Sequence, residues 1–196
     1  MALNTLFDNT QTAFKLKSDS ELERAYFLFK MISKEPLVKI GTVATKVALN
    51  LNLPVEGLIR STVFDHFCGG VNEKDCMGVV DNLYSAKVSS VLDYSVEGKQ
   101  EKAQFDATMQ KVLELTEFAK NKDAMPFSVF KPTGFGRFEI WRKLSENEPL
   151  TTQEKGEWQS IQDRYETVCK TAHSCDISLL IDGEESWMQD AADDLC

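Results

Sequence analysis

Residues Ile177 to Trp187, reading ISLLIDGEESW, constrain this chain more than any other stretch. A short apolar run ends on Asp182, and Gly183, Glu184 and Glu185 follow it directly. Consecutive apolar positions, as in SLLI, suit a strand buried on both faces, the usual condition of parallel sheets. Carboxylates at the carboxyl end of such a strand, just before a helix, stand where α/β barrels keep their chemistry. The 196-residue chain stops nine residues after Trp187. The motif therefore predicts an enzyme, and the length predicts an incomplete barrel.

The same logic extends backwards. VSSVLDYSVEG, from Val88, predicts a short strand running into a loop, and Met125 to Lys131 (MPFSVFK) predicts another before PTGFG. Between them, EKAQFDATMQKVLELTEFAKNK has apolar residues at helical spacing. Phe138 to Leu144 reads as a short helix, and Thr151 or Thr152 caps a longer one through Cys175. With DISLLID as the third strand and EESWMQDAADDL as a closing helix, the order is β-α-β-α-α-β-α. That order predicts a parallel sheet covered by helices.

Upstream the pattern is helical. Ser18 or Ser20 caps SELERAYFLFKMIS, Pro36 interrupts, and KIGTVATKVALNLN forms a second helix before Pro54. VEGLIRSTVFDHFC is a third helix, closed by Gly69 and Gly70, which can take the backbone angles of a helix C-terminus. NEKDCMGVVDNLYSAK is a fourth, capped by Asn72. The expected organisation is a helical region over 1–87 and barrel units over 88–196.

Bulk properties narrow the function classes. Hydrophobic content of 42% with 27% charged residues is globular. A net charge of -9 disfavours nucleic acid and anionic membrane surfaces as general partners. Asp8, Asp19, Glu21 and Glu23 in an amino terminus without an apolar core argue against a targeting peptide. No apolar run approaches the ~20 residues that span a bilayer. Five cysteines without compact ligand spacing read as reduced thiols in a cytoplasmic compartment.

Three predicted strand ends carry ionisable residues: Asp93, Lys131 and Asp182. In a parallel barrel such positions converge on one mouth. Each alone has a bland role, as a helix cap or a solvated rim residue. Together, two carboxylates around an ammonium form a pocket for a zwitterion. His66 near Cys68, and His173 near Cys169 and Cys175, lack the spacing of a metal site and read as packed or solvated residues. Gly134 and Gly136 match no phosphate-binding fingerprint and read as a turn. Trp141, Trp158 and Trp187 read as packing residues, and Asp190, Asp193 and Asp194 as a solvated helix face.

LDYSVEG at Leu92 to Gly98, FKPTGFGR at Phe130 to Arg137 and LLIDGEESWMQ at Leu179 to Gln189 resemble, in order and spacing, the proline dehydrogenase family. FDHFCGG at Phe64 to Gly70 resembles that family's helical lead-in, and the resemblance runs from roughly Ala25 to the end. It implies a helical amino-terminal region followed by the first three β/α units of a truncated TIM-type (β/α)8 barrel. It implies oxidation of L-proline to pyrroline-5-carboxylate with FAD, and a quinone at the membrane as electron acceptor. Lys131 would help bind the proline carboxylate, Asp93 would line the proline pocket, Asp182 would act beside substrate and flavin, and Gly183 would border the flavin. Glu97 matches a motif position whose role the resemblance leaves open. Further flavin contacts and half of the carboxylate clamp lie downstream in the family, so this chain alone is expected to be inactive. The expected location is cytoplasmic with peripheral contact at the inner membrane. Two rivals stand beside this reading: a barrel lyase forming a Schiff base on Lys131, and a non-catalytic module that pairs its open sheet edge with another chain.

Overall fold

The computed structural model describes residues 8–94 and 101–196. The chain divides into two compact units, one ending at Ala86 and the other running from Lys87 to Cys196.

The first unit is helical. A turn of helix, α1 (Thr10–Ala13), precedes α2 (Asp19–Ile32), α3 (Glu35–Asn50), α4 (Glu56–Ile59), α5 (Asp65–Phe67) and α6 (Glu73–Ser85). Ser18 caps α2 in a reciprocal box: its hydroxyl accepts from the Glu21 N–H, and the Glu21 carboxylate accepts from the Ser18 N–H at 2.8 Å. Pro36 does not interrupt α3. It sits in the first turn, where its missing N–H costs no helical bond, so α3 begins earlier than expected. A π-helical turn over Arg60–Phe64 joins α4 to α5 within the single predicted helix. Gly69 and Gly70 do not take left-handed backbone angles; the need at Gly70 is close approach, since a Cβ there would lie 2.6 Å from Asp75 Cβ. Asn72 caps α6 by accepting from the Lys74 and Asp75 N–H groups. Val80 is the one buried apolar side chain among this unit's described residues, while Tyr26, Phe27, Ile40 and Val43 are all exposed.

The second unit holds the core. Its elements are α7 (Lys102–Ala119), β1 (Phe127–Phe130), α8 (Phe138–Ser145), α9 (Thr152–Cys175), β2 (Ser178–Ile181) and α10 (Gln189–Asp193). Phe105, Thr108, Val112, Leu115, Thr116 and Ala119 form the buried stripe of α7; Ile161, Tyr165, Val168, Ala172 and Cys175 form that of α9. Thr151 caps α9 in a second reciprocal box with Glu154. Asp176, expected to open the last strand, instead closes α9 in the left-handed conformation at φ 56°. The strands are parallel, with Phe127 paired to Ser178 and Phe130 to Ile181.

The expected first strand differs. Val88 to Tyr94 carries no ladder, and the rest of that segment, Glu97 included, lies outside the described residues. Ser90 N–H donates to Ala124 O at 2.8 Å, so the segment meets the turn before β1 rather than the strand itself. Among the described residues the sheet therefore has two strands, not three.

Gly136 is explained by packing. A Cβ there would lie 2.2 Å from Ile161 Cδ1, inside the core. Arg164, only 5% exposed, donates to Asp106 Oδ1 at 2.7 and 2.9 Å and to Phe135 O at 2.8 Å, so its buried charge is fully engaged.

Tyr165 supplies a test of this core. Its ring packs edge-on against Phe130 at 4.8 Å, yet its hydroxyl is buried with no hydrogen-bond partner among the described residues. Burial, and then the negative charge of Cys196 and Glu184, push the phenol well above its ordinary value. The unfolded chain ionises near pH 10 while the folded phenol does not, so stability is lost as pH rises past that point. Tyr165→Phe removes both the orphan hydroxyl and this titration. Urea unfolding is expected to show the variant at least as stable at neutral pH and flatter above about pH 10. A neutral-pH loss above about 1 kcal/mol would mean the hydroxyl has a partner after all.

Candidate active site

The strand register decides which side chains meet. Phe130 and Ile181 are paired, and both face the helical core. In a pleated sheet the next residues face the other way, so Lys131 and Asp182 emerge side by side on the opposite face. Asp182 N–H donates to Phe130 O at 3.0 Å, carrying the ladder one step past β2. Lys131 Nζ donates to Asp182 Oδ2 in a close ion pair.

That pair is not a stability device. The side chains are 21% and 45% exposed, and a pair so open to solvent contributes about 0–1 kcal/mol. Its electrostatics are directional instead. The Asp182 hydrogen bond holds the Lys131 ammonium above its ordinary value, against partial burial, and the charges of Asp182, Asp93 and Glu184 add to it. Asp93, itself exposed, thus lies within electrostatic reach of Lys131. Gly183 is exposed beside Asp182, and a Cβ built there would meet Gln189 Oε1 at 3.4 Å, an ordinary contact.

The partners of four further residues of the same unit escaped the sequence reading. Glu184 accepts from Thr133 N–H at 2.9 Å and from the Thr133 hydroxyl at 2.7 Å. Arg137 forms a two-pronged pair with Glu157 at 2.7 and 3.0 Å, which holds its guanidinium above and the Glu157 carboxyl below their ordinary values. Thr133 and Arg137 lie in the quoted motif FKPTGFGR, but their partners arrive from distant positions that no local spacing marks. A cleft of about 240 Å3 is lined by Lys102, Arg137, Glu157 and Arg164 among others, not by Lys131 or Asp182. Its two arginines are already engaged by Glu157 and Asp106.

The family model for proline dehydrogenase matches residues 76–196, the stretch that holds both strands and the Lys131–Asp182 pair. The chain belongs to the proline dehydrogenase family.

Among curated relatives of this family member, proline dehydrogenase 1, mitochondrial, of Arabidopsis thaliana is 25% identical over 96% of this chain and 45% of its own. Proline dehydrogenase 1, mitochondrial, of Caenorhabditis elegans is 36% identical over 48% of this chain and 16% of its own. A carbapenem antibiotics biosynthesis protein of Pectobacterium carotovorum is 29% identical over 71% of this chain and 37% of its own. The chain thus spans less than half the length of these relatives. No solved structure matches it. No helix of the described residues is long and apolar enough to cross a membrane.

Proposed function

We propose that this chain is the amino-terminal part of a proline-oxidising flavoenzyme, with a helical lead-in over 1–87 and the first units of a TIM-type barrel over 88–196. The observation that carries the reading is the Lys131–Asp182 pair at adjacent parallel strand ends, inside the segment matched to the family. L-Proline brings a carboxylate and a secondary amine. Lys131 takes the carboxylate, a charge-assisted contact for which its ammonium is well kept, and Asp182 with Asp93 faces the amine.

FAD, where bound, would supply the hydride acceptor for making pyrroline-5-carboxylate, and a quinone at the membrane would be the final electron acceptor. Gly183 is exposed beside Asp182, where the resemblance puts the border of the flavin. Arg137, Arg142 and Arg164 are engaged by Glu157, by Glu139 with Glu146 and Glu148, and by Asp106. Holding the diphosphate of FAD therefore falls to other residues.

The direction of the Lys131 shift speaks against the Schiff-base rival. A nucleophilic lysine needs its amine neutral near pH 7, which a lowered pKa provides; here the neighbours raise it. We expect the full-length protein, loaded with FAD, to bleach when L-proline is added without oxygen, and this chain alone to retain no flavin on gel filtration. A full-length flavoprotein indifferent to proline would overturn the assignment. A yellow, proline-responsive preparation of these 196 residues would overturn the expectation that they are inactive alone.

A further inference from the structure

Two residue pairs, joined by three hydrogen bonds, continue the strand pairing beyond the end of the backbone ladder. β1 and β2 pair at a constant sequence offset, and the same offset of 51 residues joins Lys131 to Asp182 and Thr133 to Glu184. Each carboxylate oxygen of Glu184 takes one bond from Thr133: Oε2 from the N–H at 2.9 Å and Oε1 from the hydroxyl at 2.7 Å. Both residues are half-buried. Pro132 stands between Lys131 and Thr133, with its φ fixed by the ring, while Gly183 stands between Asp182 and Glu184 with no such restraint. The loop after β2 is thus the softer of the two, and Glu184 is where it is tied down.

We propose that Glu184 is a positioning residue: by clasping Thr133 it fixes the separation and aim of Lys131 and Asp182, the groups that receive the substrate. This rests on the proline-oxidising reading given above. A blander role is that Glu184 merely satisfies an N–H in the first turn of the short 3-10 helix Pro132–Gly134. The hydroxyl bond exceeds what such a cap needs. Glu184 also belongs, with Asp182 and Asp93, to the charges that face Lys131.

The two roles separate by substitution in the full-length protein. Glu184→Ala removes clasp and charge together. Glu184→Gln removes the charge but keeps the clasp, since the amide oxygen accepts from Thr133 N–H and the amide nitrogen donates to its hydroxyl. Thr133→Val breaks half the clasp with the charge intact, and Thr133→Ser restores it. Two readouts are taken: kcat and KM for L-proline, and the pH dependence of Lys131 acetylation by acetic anhydride, followed by mass spectrometry. Glu184→Ala and Thr133→Val are expected to lower kcat/KM by roughly tenfold to a hundredfold, with Glu184→Gln and Thr133→Ser within about threefold of the parent. Lys131 should acetylate at lower pH in the two damaging variants. The clasp is refuted if Glu184→Gln is as impaired as Glu184→Ala, which would make the effect one of charge alone, or if Glu184→Ala matches the parent in both readouts. Should the parent itself not oxidise proline, the functional reading fails, and the Lys131 acetylation profiles still decide the clasp.

Discussion

Lys131→Met is expected to cut kcat/KM for L-proline roughly tenfold to a hundred-and-fiftyfold in the full-length protein, the equivalent of one charge-assisted hydrogen bond of about 1.5–3 kcal/mol. Its melting temperature should barely move. The two outcomes come from different terms. For stability, the variant loses an ion pair whose members are 21% and 45% exposed, worth about 1 kcal/mol at most after screening. For substrate, on the function proposed above, it would lose the cation that meets the proline carboxylate. KM should rise and kcat change less, because the lost contact is made to a group distant from the bond being oxidised. The pH profile adds a sign. Asp182 holds the Lys131 ammonium above its ordinary value, so binding that depends on its charge is intact below that value and is lost only as pH rises beyond the lysine range. A limb between pH 7 and 10 therefore belongs to some other group. Equal losses in melting and activity would show that Lys131 acts through the fold, and an unchanged kcat/KM would remove it from the site.

Those expectations depend on how the two strand ends meet, and that was only partly legible in the sequence. Local rules placed α9 closely, because Thr151 and Glu154 form a capping box that can be read without knowing the fold. They placed β1 and β2 to within a few residues, because short apolar runs bounded by turns have few other uses. Lys131 and Asp182 were each named from their place after such a run. What joins them is a register, fixed by pairing across 51 residues, and periodicity carries no register. Gly136 illustrates the same limit: its reason is Ile161, brought there by α9, and the sequence offered a turn instead. Pro36 shows the opposite error, a strong local signal read as a break when the first turn of a helix accommodates it. The segment expected as a first strand had the composition of one, but composition supplies no pairing partner.

Trp141→Ala should be the most damaging single truncation to the second unit, costing about 3–5 kcal/mol. Trp141 is 0% exposed on α8, edge-on to Trp158 at 5.3 Å and tilted against Tyr165 at 5.9 Å. Its indole N–H has no partner among the described residues, so truncation forfeits packing and volume rather than a hydrogen bond. Trp141→Phe, which keeps a ring in the same space, is therefore expected to recover more than half of the loss. Against a typical total stability of about 5–15 kcal/mol, the alanine variant should approach complete unfolding under mild denaturant. The consequence reaches the site. α8 carries the surface on which Met188, Ala191 and Ala192 close the core, and Ser145 Oγ accepts from the Ala191 N–H at 3.1 Å. Those residues follow directly on Asp182–Glu185, so loosening α8 frees the segment that aims Asp182. Amide exchange at Ala191 should then rise even where the strands remain paired. A loss below about 1 kcal/mol on chemical denaturation would mean that the cavity collapses around the missing ring, and that α8 does not anchor the strand end.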